Sequence, residues 1–338
     1  MRAALRLVVL IVAVAVAAGP GPGPVVAGPE AGAAGPARAA GSAGPGTGPA
    51  SPARAAAPAQ PRWETLPLPP AMPKPEDSGY ASVPGGARIY YATFGKAGAP
   101  AVILLHGGLG NGEHFAHQVP ALADRFRVIT IDSRGQGRST LGTGGTGTGT
   151  GNKGKDKGTD KLSYAVMARD VIAVMDALRI EKASVVGWSD GGAVALALGI
   201  EHGGRLDRLF VFATNYDSRG SKARAVTTTT FAAYSARCRA DFARLANNKG
   251  AFEAAAAALA PVWRDPASFT KQQLRAIKAR TLVGSGDHDE IIQLDQVKEM
   301  AQLIPNARLA ILPDTSHFAM WQDPAGFNKV LVEFLTSP

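Results

Sequence analysis

Cysteine is almost absent from this chain of 338 residues, which contains only Cys238. A single cysteine cannot form an intrachain disulfide, and it lies far from the position after a signal segment where a lipid anchor would be attached. Export is still compatible with this composition, because an oxidising compartment does not require disulfides. We expect Cys238 to be a small buried apolar side chain.

Metal-binding and nucleic-acid-binding patterns are also missing. Neither H-x-x-x-H nor H-E-x-x-H occurs. His114 and His117 lie three residues apart without a third ligand nearby, so we interpret them as surface histidines. The net charge is +9, yet no basic stretch is interleaved with aromatic residues. The sequence therefore predicts no metal, no organic cofactor and no nucleic-acid partner.

The apolar runs of the chain are too short to predict a membrane span. The N-terminal run Leu7–Ala18 is too short, follows Arg2 and Arg6, and contains the A-x-A-type sequence at 15–17. This pattern is typical of a cleaved secretory signal peptide over residues 1–18, and an uncleaved anchor is the alternative. We expect export to the periplasm or the exterior and no integral membrane domain.

Composition divides the rest of the chain into a linker and one domain. Residues 19–76 are mostly Ala, Gly and Pro without apolar periodicity, which predicts a disordered linker. Residues 77–338 are enough for one large α/β domain. A Gly/Thr repeat and a Lys/Asp patch predict a flexible insertion at 142–161. The helix-prone segment 214–279, here called the cap, lies where a substrate-covering insertion is expected.

Strand and helix patterns alternate along the predicted domain. Tyr80–Val83 and Ala87–Phe94 predict a hairpin around Pro84-Gly85-Gly86. The all-apolar run Ala101–Leu105 predicts a strand that is buried on both faces. Further strands are predicted over residues 126–131, 183–187, 206–213, 281–284 and 308–312, and helices over 162–178, 191–200 and 327–335. This alternation predicts a mostly parallel, doubly wound sheet with an antiparallel edge.

The most informative segment is Gly187-Trp188-Ser189-Asp190-Gly191-Gly192, here called the elbow. It is a G-x-S-x-G sequence between a β-branched run and an Ala-rich helical run. A serine on such a sharp strand-to-helix turn projects its hydroxyl outward, and the glycines let the turn close. The pattern therefore predicts that Ser189 is a nucleophile.

Two other loops carry residues that would complete such a site. The oxyanion loop, His106–Gly110, follows a buried strand, and its glycines let a backbone N–H approach a bound carbonyl; an ordinary turn is the alternative. His317 follows the last predicted strand and lies after Ser189 in the chain. An acid is expected from Asp287, Asp289 or Glu290, which spacing alone does not distinguish. The order serine, acid, histidine is that of one class of parallel-sheet hydrolases.

Taken together, these motifs resemble the α/β-hydrolase fold family over roughly residues 78–338. They are H-G-G-L-G at 106–110, D-S-R-G-Q-G-R-S at 132–139, G-W-S-D-G-G at 187–192, G-D-H-D at 286–289 and S-H-F at 316–318. Within the family, the elbow is similar to that of valacyclovir-hydrolase-like (biphenyl-hydrolase-like) esterases. The resemblance implies that Asp289 is the triad acid and that the N–H groups of Gly108 and Asp190 form the oxyanion hole.

The function implied is ester hydrolysis through an acyl-enzyme on a Ser-His-Asp triad, with a small-molecule ester as substrate. A lactone or carbon–carbon bond hydrolase of the same fold is the first alternative, and a non-catalytic binding protein is the second. Serine at position 189 argues against the dehalogenases and epoxide hydrolases of this fold, which have aspartate there.

Asp190 is unusual beside such a serine and is a candidate substrate-binding residue. Its carboxylate would suit a substrate ammonium group, although it would also complement a helix N-terminus. Trp188 either packs beneath the elbow or lines the pocket. Phe231 and Tyr234 in the cap would form a pocket roof or simply pack, and Trp263 is expected to pack.

Overall fold

The computed structural model describes residues 60–142, 161–246, 250–264 and 269–337. The predicted signal peptide, the linker up to residue 59 and almost all of the 142–161 insertion lie outside the described residues. Within the described part of the chain, no helix is long and apolar enough to cross a membrane.

The core of the domain is an eight-stranded sheet in the order β1-β2-β4-β3-β5-β6-β7-β8. The strands are β1 Asp77–Val83, β2 Ala87–Phe94, β3 Ala101–Leu105, β4 Arg127–Ile131, β5 Ala183–Trp188, β6 Leu206–Phe212, β7 Arg280–Gly286 and β8 Ala307–Leu312. β1 and β2 form the predicted antiparallel hairpin at one edge, and β2 also pairs antiparallel with β4. The remaining pairs are parallel, so the predicted mostly parallel sheet is confirmed.

Helices cover the sheet and form the cap. They are α1 Gln118–Ala123, α2 Tyr164–Ala177, α3 Asp190–Glu201, α4 Thr229–Leu245, α5 Ala251–Arg264, α6 Lys271–Ala276, α7 Leu294–Leu303, α8 Ala319–Gln322 and α9 Pro324–Thr336. Side-chain caps fix where several of them begin. Ser163 accepts the backbone N–H of Val166 before α2, and Thr270 forms a capping box with Gln273 before α6. Helices α4, α5 and α6 lie in the segment predicted as the cap.

Strand burial follows from the sequence pattern. All five residues of β3 are buried, as the continuous apolar run Ala101–Leu105 predicts. β3 and β5 are neighbours, and β6, β7 and β8 follow in order on the same side. Because these strands are parallel, their carboxyl ends meet at one edge of the sheet. The oxyanion loop, the elbow and the loops after β7 and β8 therefore converge there.

The N-terminal boundary of the domain differs from the prediction. The composition predicts that the linker extends to residue 76, but contacts with the domain begin at Arg62. Arg62 donates hydrogen bonds to the carbonyl oxygens of Pro313 and Asp314 at 3.1 and 3.0 Å. Trp63 stacks on His288 with ring centroids 3.8 Å apart. Residues 60–66, here called the strap, thus contact the loops after β7 and β8. The composition of a segment reports its own apolar content and not the residues that it contacts, so it did not predict this packing.

Candidate active site

Ser189 occupies a sharp turn between β5 and α3. Its backbone has φ 55° and ψ −120°, a conformation that costs a non-glycine residue about 1–3 kcal/mol. Close packing explains the flanking glycines. A Cβ at Gly187 would lie 2.2 Å from the carbonyl oxygen of Gly191, and a Cβ at Gly191 would lie 2.1 Å from that of Leu105. The half-buried serine is therefore held in a strained turn that only these small neighbours permit.

The structure pairs the imidazole of His317 with Asp289 and not with the other two acids of the loop after β7. Nδ1 of His317 lies 3.1 and 3.2 Å from the two carboxylate oxygens of Asp289. Asp287 instead contacts His288 and the backbone N–H of Thr315. Both members of the pair are almost fully buried.

Asp289 is held as a carboxylate by a full set of donors. The backbone N–H groups of Ile291 and Ile292 donate to its Oδ1 at 2.9 and 2.8 Å, and the hydroxyl of Ser285 donates to Oδ2 at 2.8 Å. Burial acts to raise the pKa of this carboxyl, but the charge and hydrogen bond of His317 and the two backbone donors lower it below its usual value. The same pairing also shifts the pKa of the imidazole. Burial acts to lower the pKa of His317, and nearby carboxylates, Asp289 first among them, raise it above its usual value.

Glu290 supports the same loop from the other side, a role that the sequence analysis missed. Its carboxylate accepts the backbone N–H of His317 at 3.0 Å and the hydroxyl of Thr230 in α4 at 2.5 Å. Glu290 therefore fixes the histidine backbone and ties it to the cap. Its proximity also helps to raise the pKa of His317.

The oxyanion loop lies directly against the nucleophile. A Cβ at Gly107 would lie 3.2 Å from Cβ of Ser189, and a Cβ at Gly108 would lie 2.5 Å from Oδ2 of Asp190. A side chain at position 108 would therefore displace the Asp190 carboxylate, and one at position 107 would be tightly confined. Neither the Gly108 N–H nor the Asp190 N–H donates a hydrogen bond to another described residue. Both predicted oxyanion donors are therefore available beside Ser189.

The 132–139 loop supports the oxyanion loop from below. His106 accepts the backbone N–H of Ser133 through Nε2 at 2.9 Å, so the proton is on Nδ1, which donates to the carbonyl oxygen of Gly107 at 2.7 Å. Burial lowers the pKa of His106 to about 3, which keeps it neutral. Asp132 accepts the N–H of Gly112 at 2.7 Å. This loop is therefore a structural support.

Asp190 lies at the rim of the oxyanion hole between the core and the cap. Its Oδ1 accepts the hydroxyl of Tyr164 at 2.9 Å, and its Oδ2 accepts the indole N–H of Trp263 at 2.8 Å. Burial raises the pKa of the Asp190 carboxyl, while these two hydrogen bonds and the charge of His317 oppose the shift. No salt bridge joins Asp190 to an Arg or Lys among the described residues. Two neutral donors are its partners, and Trp263 is therefore more than a packing residue.

Trp188 does not line a pocket, because its side chain is fully buried. Its indole N–H donates to the carbonyl oxygen of His317 at 2.9 Å, and its ring packs against Tyr234 and Trp321. Of the two alternatives raised by the sequence, packing beneath the elbow is the one that the structure supports. The interpretation of Trp188 as a substrate-binding residue is not supported.

The interpretation of His114 as a surface histidine is wrong, because the structure buries it fully. Its Nε2 lies 3.2 Å from Oδ2 of Asp241 in α4. Arg237 and Arg244 also donate to Asp241, at 2.9 and 3.0 Å, and Asn111 does so at 3.1 Å. The spacing of two histidines at i and i+3 gave no hint of this network, because the cap helix that buries His114 lies more than 100 residues away. In the described part of the chain, no group of three His, Cys, Asp or Glu residues is arranged to hold a metal ion.

Comparison with known proteins identifies the family to which the fold belongs. The model of the "Alpha/beta hydrolase family" matches residues 102–330. A protein of Caulobacter sp. (strain K31) named "Putative carbamate hydrolase RutD" is 28% identical over 279 residues, which cover 72% of this chain and 93% of the relative. The "2-hydroxy-6-oxo-6-phenylhexa-2,4-dienoate hydrolase" of Comamonas testosteroni is 28% identical over 276 residues, covering 73% of this chain and 91% of the relative.

A solved structure has the same architecture. The enol-lactonase from Burkholderia xenovorans LB400 superimposes with a TM-score of 0.60 and 26% identity. The match covers 77% of this chain and all of that chain. The overall fold is thus shared with an enzyme named for an enol-lactone substrate.

Proposed function

The chain belongs to the alpha/beta hydrolase family, and from this premise we propose that it hydrolyses carboxylic esters through an acyl-enzyme on Ser189, His317 and Asp289. The observation that carries the proposal is the buried pair in which Asp289 faces Nδ1 of His317 at 3.1 Å. It leaves the opposite ring nitrogen, Nε2, to take a proton from the serine.

The proposed reaction has two halves. Nε2 of His317 removes the hydroxyl proton as Ser189 attacks the ester carbonyl, and the N–H groups of Gly108 and Asp190 bind the oxyanion. The protonated imidazole, which Asp289 stabilises, then gives its proton to the departing alcohol as the carbon–oxygen bond breaks. In the second half, His317 removes a proton from water, the hydroxide attacks the acyl group, and Ser189 recovers its proton as the acid leaves.

The charge of the site favours a neutral or cationic ester over an anionic substrate. The Comamonas relative is named for a dienoate, which is an anion. At 4 Å, two like charges repel by about 4 kcal/mol at an effective dielectric constant of 20. Asp190 lies beside the oxyanion hole, and no Arg or Lys of the described residues forms a salt bridge that would neutralise its charge. A substrate carboxylate bound there would therefore be repelled. This argues against the carbon–carbon bond alternative.

The test is a substrate panel combined with active-site labelling. We expect a fluorophosphonate probe to label the wild type and not Ser189→Ala, and we expect p-nitrophenyl esters of short acyl chains to be turned over only by the wild type. The panel includes a lactone, an aryl carbamate and a ring-cleavage dienoate. Turnover by Ser189→Ala would disprove the mechanism, faster turnover of the dienoate than of any ester would favour the alternative, and absence of labelling would favour a binding protein.

We also propose that the enzyme is exported. Support comes from the signal-like pattern of residues 1–18. Cell fractionation and N-terminal sequencing of the mature protein test it. A mature N-terminus shortly after Ala17 in the exported fraction is the expected result, and an intact Met1 in the cytoplasmic fraction would contradict it.

A further inference from the structure

In the peptide unit between Gly107 and Gly108, the carbonyl group is held by hydrogen bonds and the N–H group is available to bind a substrate oxygen. The carbonyl oxygen of Gly107 accepts Nδ1–H of His106 at 2.7 Å and the N–H of Gly110 at 3.0 Å. The N–H of Gly108, at the other end of the same peptide, donates to no described residue. This is the N–H assigned above to the oxyanion hole, so its direction depends on how well Gly108 is held.

The next peptide unit, between Gly108 and Leu109, is fixed at both ends. The N–H of Leu109 donates to Oε1 of Gln136 at 2.6 Å, which anchors the peptide to the 132–139 loop. The carbonyl oxygen of Gly108 accepts the hydroxyl of Tyr234 at 2.9 Å, which anchors it to cap helix α4. Three of the four polar groups around Gly108 are therefore engaged, and one of the anchors comes from the cap.

Tyr234 is itself rigidly placed. Its side chain is buried, and its ring packs edge-on against Trp188 at a centroid distance of 5.5 Å and in a tilted arrangement against Phe318 at 5.2 Å. These two neighbours directly precede Ser189 and directly follow His317 in the chain. Burial raises the pKa of the Tyr234 phenol well above its usual value, so the hydroxyl remains protonated and can donate. A single cap residue thus contacts the neighbours of both reacting side chains and the oxyanion loop.

We propose that Tyr234 is a positioning residue that holds the oxyanion hole in its active geometry through its hydrogen bond to the carbonyl oxygen of Gly108. The inference rests on the proposed function and deepens it, because it assigns part of the catalytic geometry to the cap. Glycine provides no side chain to restrain its own backbone, so the peptides around Gly108 depend on these anchors. An oxyanion donor must lie 2.7–3.1 Å from the developing charge, so a small rotation of Gly108 would weaken transition-state binding more than substrate binding.

The experiment uses the full-length protein and the variant Tyr234→Phe, which removes the hydroxyl and keeps the ring contacts. We expect kcat for a p-nitrophenyl ester to fall about tenfold, which is less than the loss on removing a whole oxyanion donor, while KM changes less than twofold. The affinity for a trifluoromethyl ketone, whose adduct with serine carries an oxyanion, should fall by the same factor as kcat/KM. A merely structural role would not produce this parallel loss.

A matched control and a second variant keep the test sharp. Tyr216→Phe removes another phenol hydroxyl, which donates to Glu299 of α7 at 2.5 Å and not to the oxyanion loop, and it should leave kcat unchanged. Gln136→Met releases the other end of the same peptide and should reproduce the selective loss in kcat. Wild-type kcat and ketone affinity in both Tyr234→Phe and Gln136→Met would overturn the positioning role while leaving the proposed function intact. A wild type that neither hydrolyses esters nor reacts with a fluorophosphonate would overturn both.

Discussion

The indole N–H of Trp188 donates to the carbonyl oxygen of His317 at 2.9 Å. The residue before the nucleophile therefore holds the backbone of the histidine. Trp188 ends β5 and His317 follows β8, so the bond spans two strands that lie between them in the sheet, β6 and β7. It fixes the distance between the two loops on which proton transfer depends.

Replacing Trp188 by Phe should destabilise the protein and slow the reaction. The variant leaves a buried carbonyl unpaired and removes part of a buried ring, which costs about 1–3 kcal/mol in the free energy of unfolding. Urea denaturation measures the loss, and ester turnover should fall several-fold. Trp321→Phe is the matched control, because Trp321 is equally buried and donates to the carbonyl of His114 at 2.8 Å. If both variants lose the same activity, the bond to His317 has no special role.

Asp289 and Asp287 should differ sharply in their effect on turnover. Asp289→Asn removes the charge that stabilises the imidazolium and disturbs the tautomer, so kcat should fall on the order of 10⁴-fold, as in serine-protease triads. Asp287→Asn should reduce kcat by less than tenfold, because Asp287 contacts His288 and Thr315 but not His317. Steady-state kinetics of the two variants decide the assignment, and equal losses would contradict it.

Much of the fold and of the candidate site was predictable from local patterns. The all-apolar run of β3 and the alternation of strands and helices predicted a mostly parallel sheet, since burial on both faces leaves no polar positions in such a strand. Ser189 was predictable because a strand, a glycine-flanked serine and a helix follow one another without interruption. The choice of Asp289 over Asp287 came from the family resemblance, and the residues alone left it open.

What the sequence did not predict depends on contacts between distant segments. Trp263 reaches Asp190 and Tyr234 reaches Gly108 only because the cap folds back onto the core, over separations of 73 and 126 residues. The burial of His114 arises in the same way. Periodicity within a helix reports which face is apolar, but not which loop that face will meet.

Removing the strap should lower the free energy of unfolding of the domain, whereas removing only the residues before it should not. A protein beginning at residue 60 should match the full chain in stability and kcat. One beginning at residue 67 loses the hydrogen bonds of Arg62 and the stacking of Trp63, which together contribute about 2 kcal/mol. Its kcat should also fall, because the strap contacts the loops that carry Asp289 and His317. Urea denaturation and ester kinetics test this; identical curves for the two truncated proteins would show that the strap contributes nothing.

The activity should fall on the acid side with a midpoint above pH 6.5. His317 acts as a base only when neutral, and nearby carboxylates raise its pKa above the usual 6.5. Protonated His317 correspondingly stabilises the folded protein below the unfolded-state pKa, and this stability is lost as the pH rises through the folded-state pKa. A profile of kcat/KM against pH measures this midpoint. Asp190→Asn removes one of these carboxylate charges and should move the midpoint to lower pH. Asp207→Asn changes an exposed acid at the start of β6 and should leave the midpoint unchanged. A wild-type midpoint below pH 6.5 would contradict the assignment of His317 as the base.

Asp190 should confer a preference for esters that carry an α-amino group. Each oxygen of its carboxylate accepts one neutral donor and retains capacity for another, so a substrate ammonium beside the oxyanion hole would gain a charge-assisted hydrogen bond. Such a bond contributes about 1.5–3 kcal/mol, which corresponds to a preference of at least tenfold at pH 7. The measurement compares kcat/KM for phenylalanine methyl ester and for methyl 3-phenylpropionate, which differ only in the amine. Asp190→Asn keeps the backbone N–H of the oxyanion hole, so it should abolish the preference while still hydrolysing the neutral ester. Equal rates for the two esters in the wild type would show that the carboxylate serves only Tyr164, Trp263 and the start of α3.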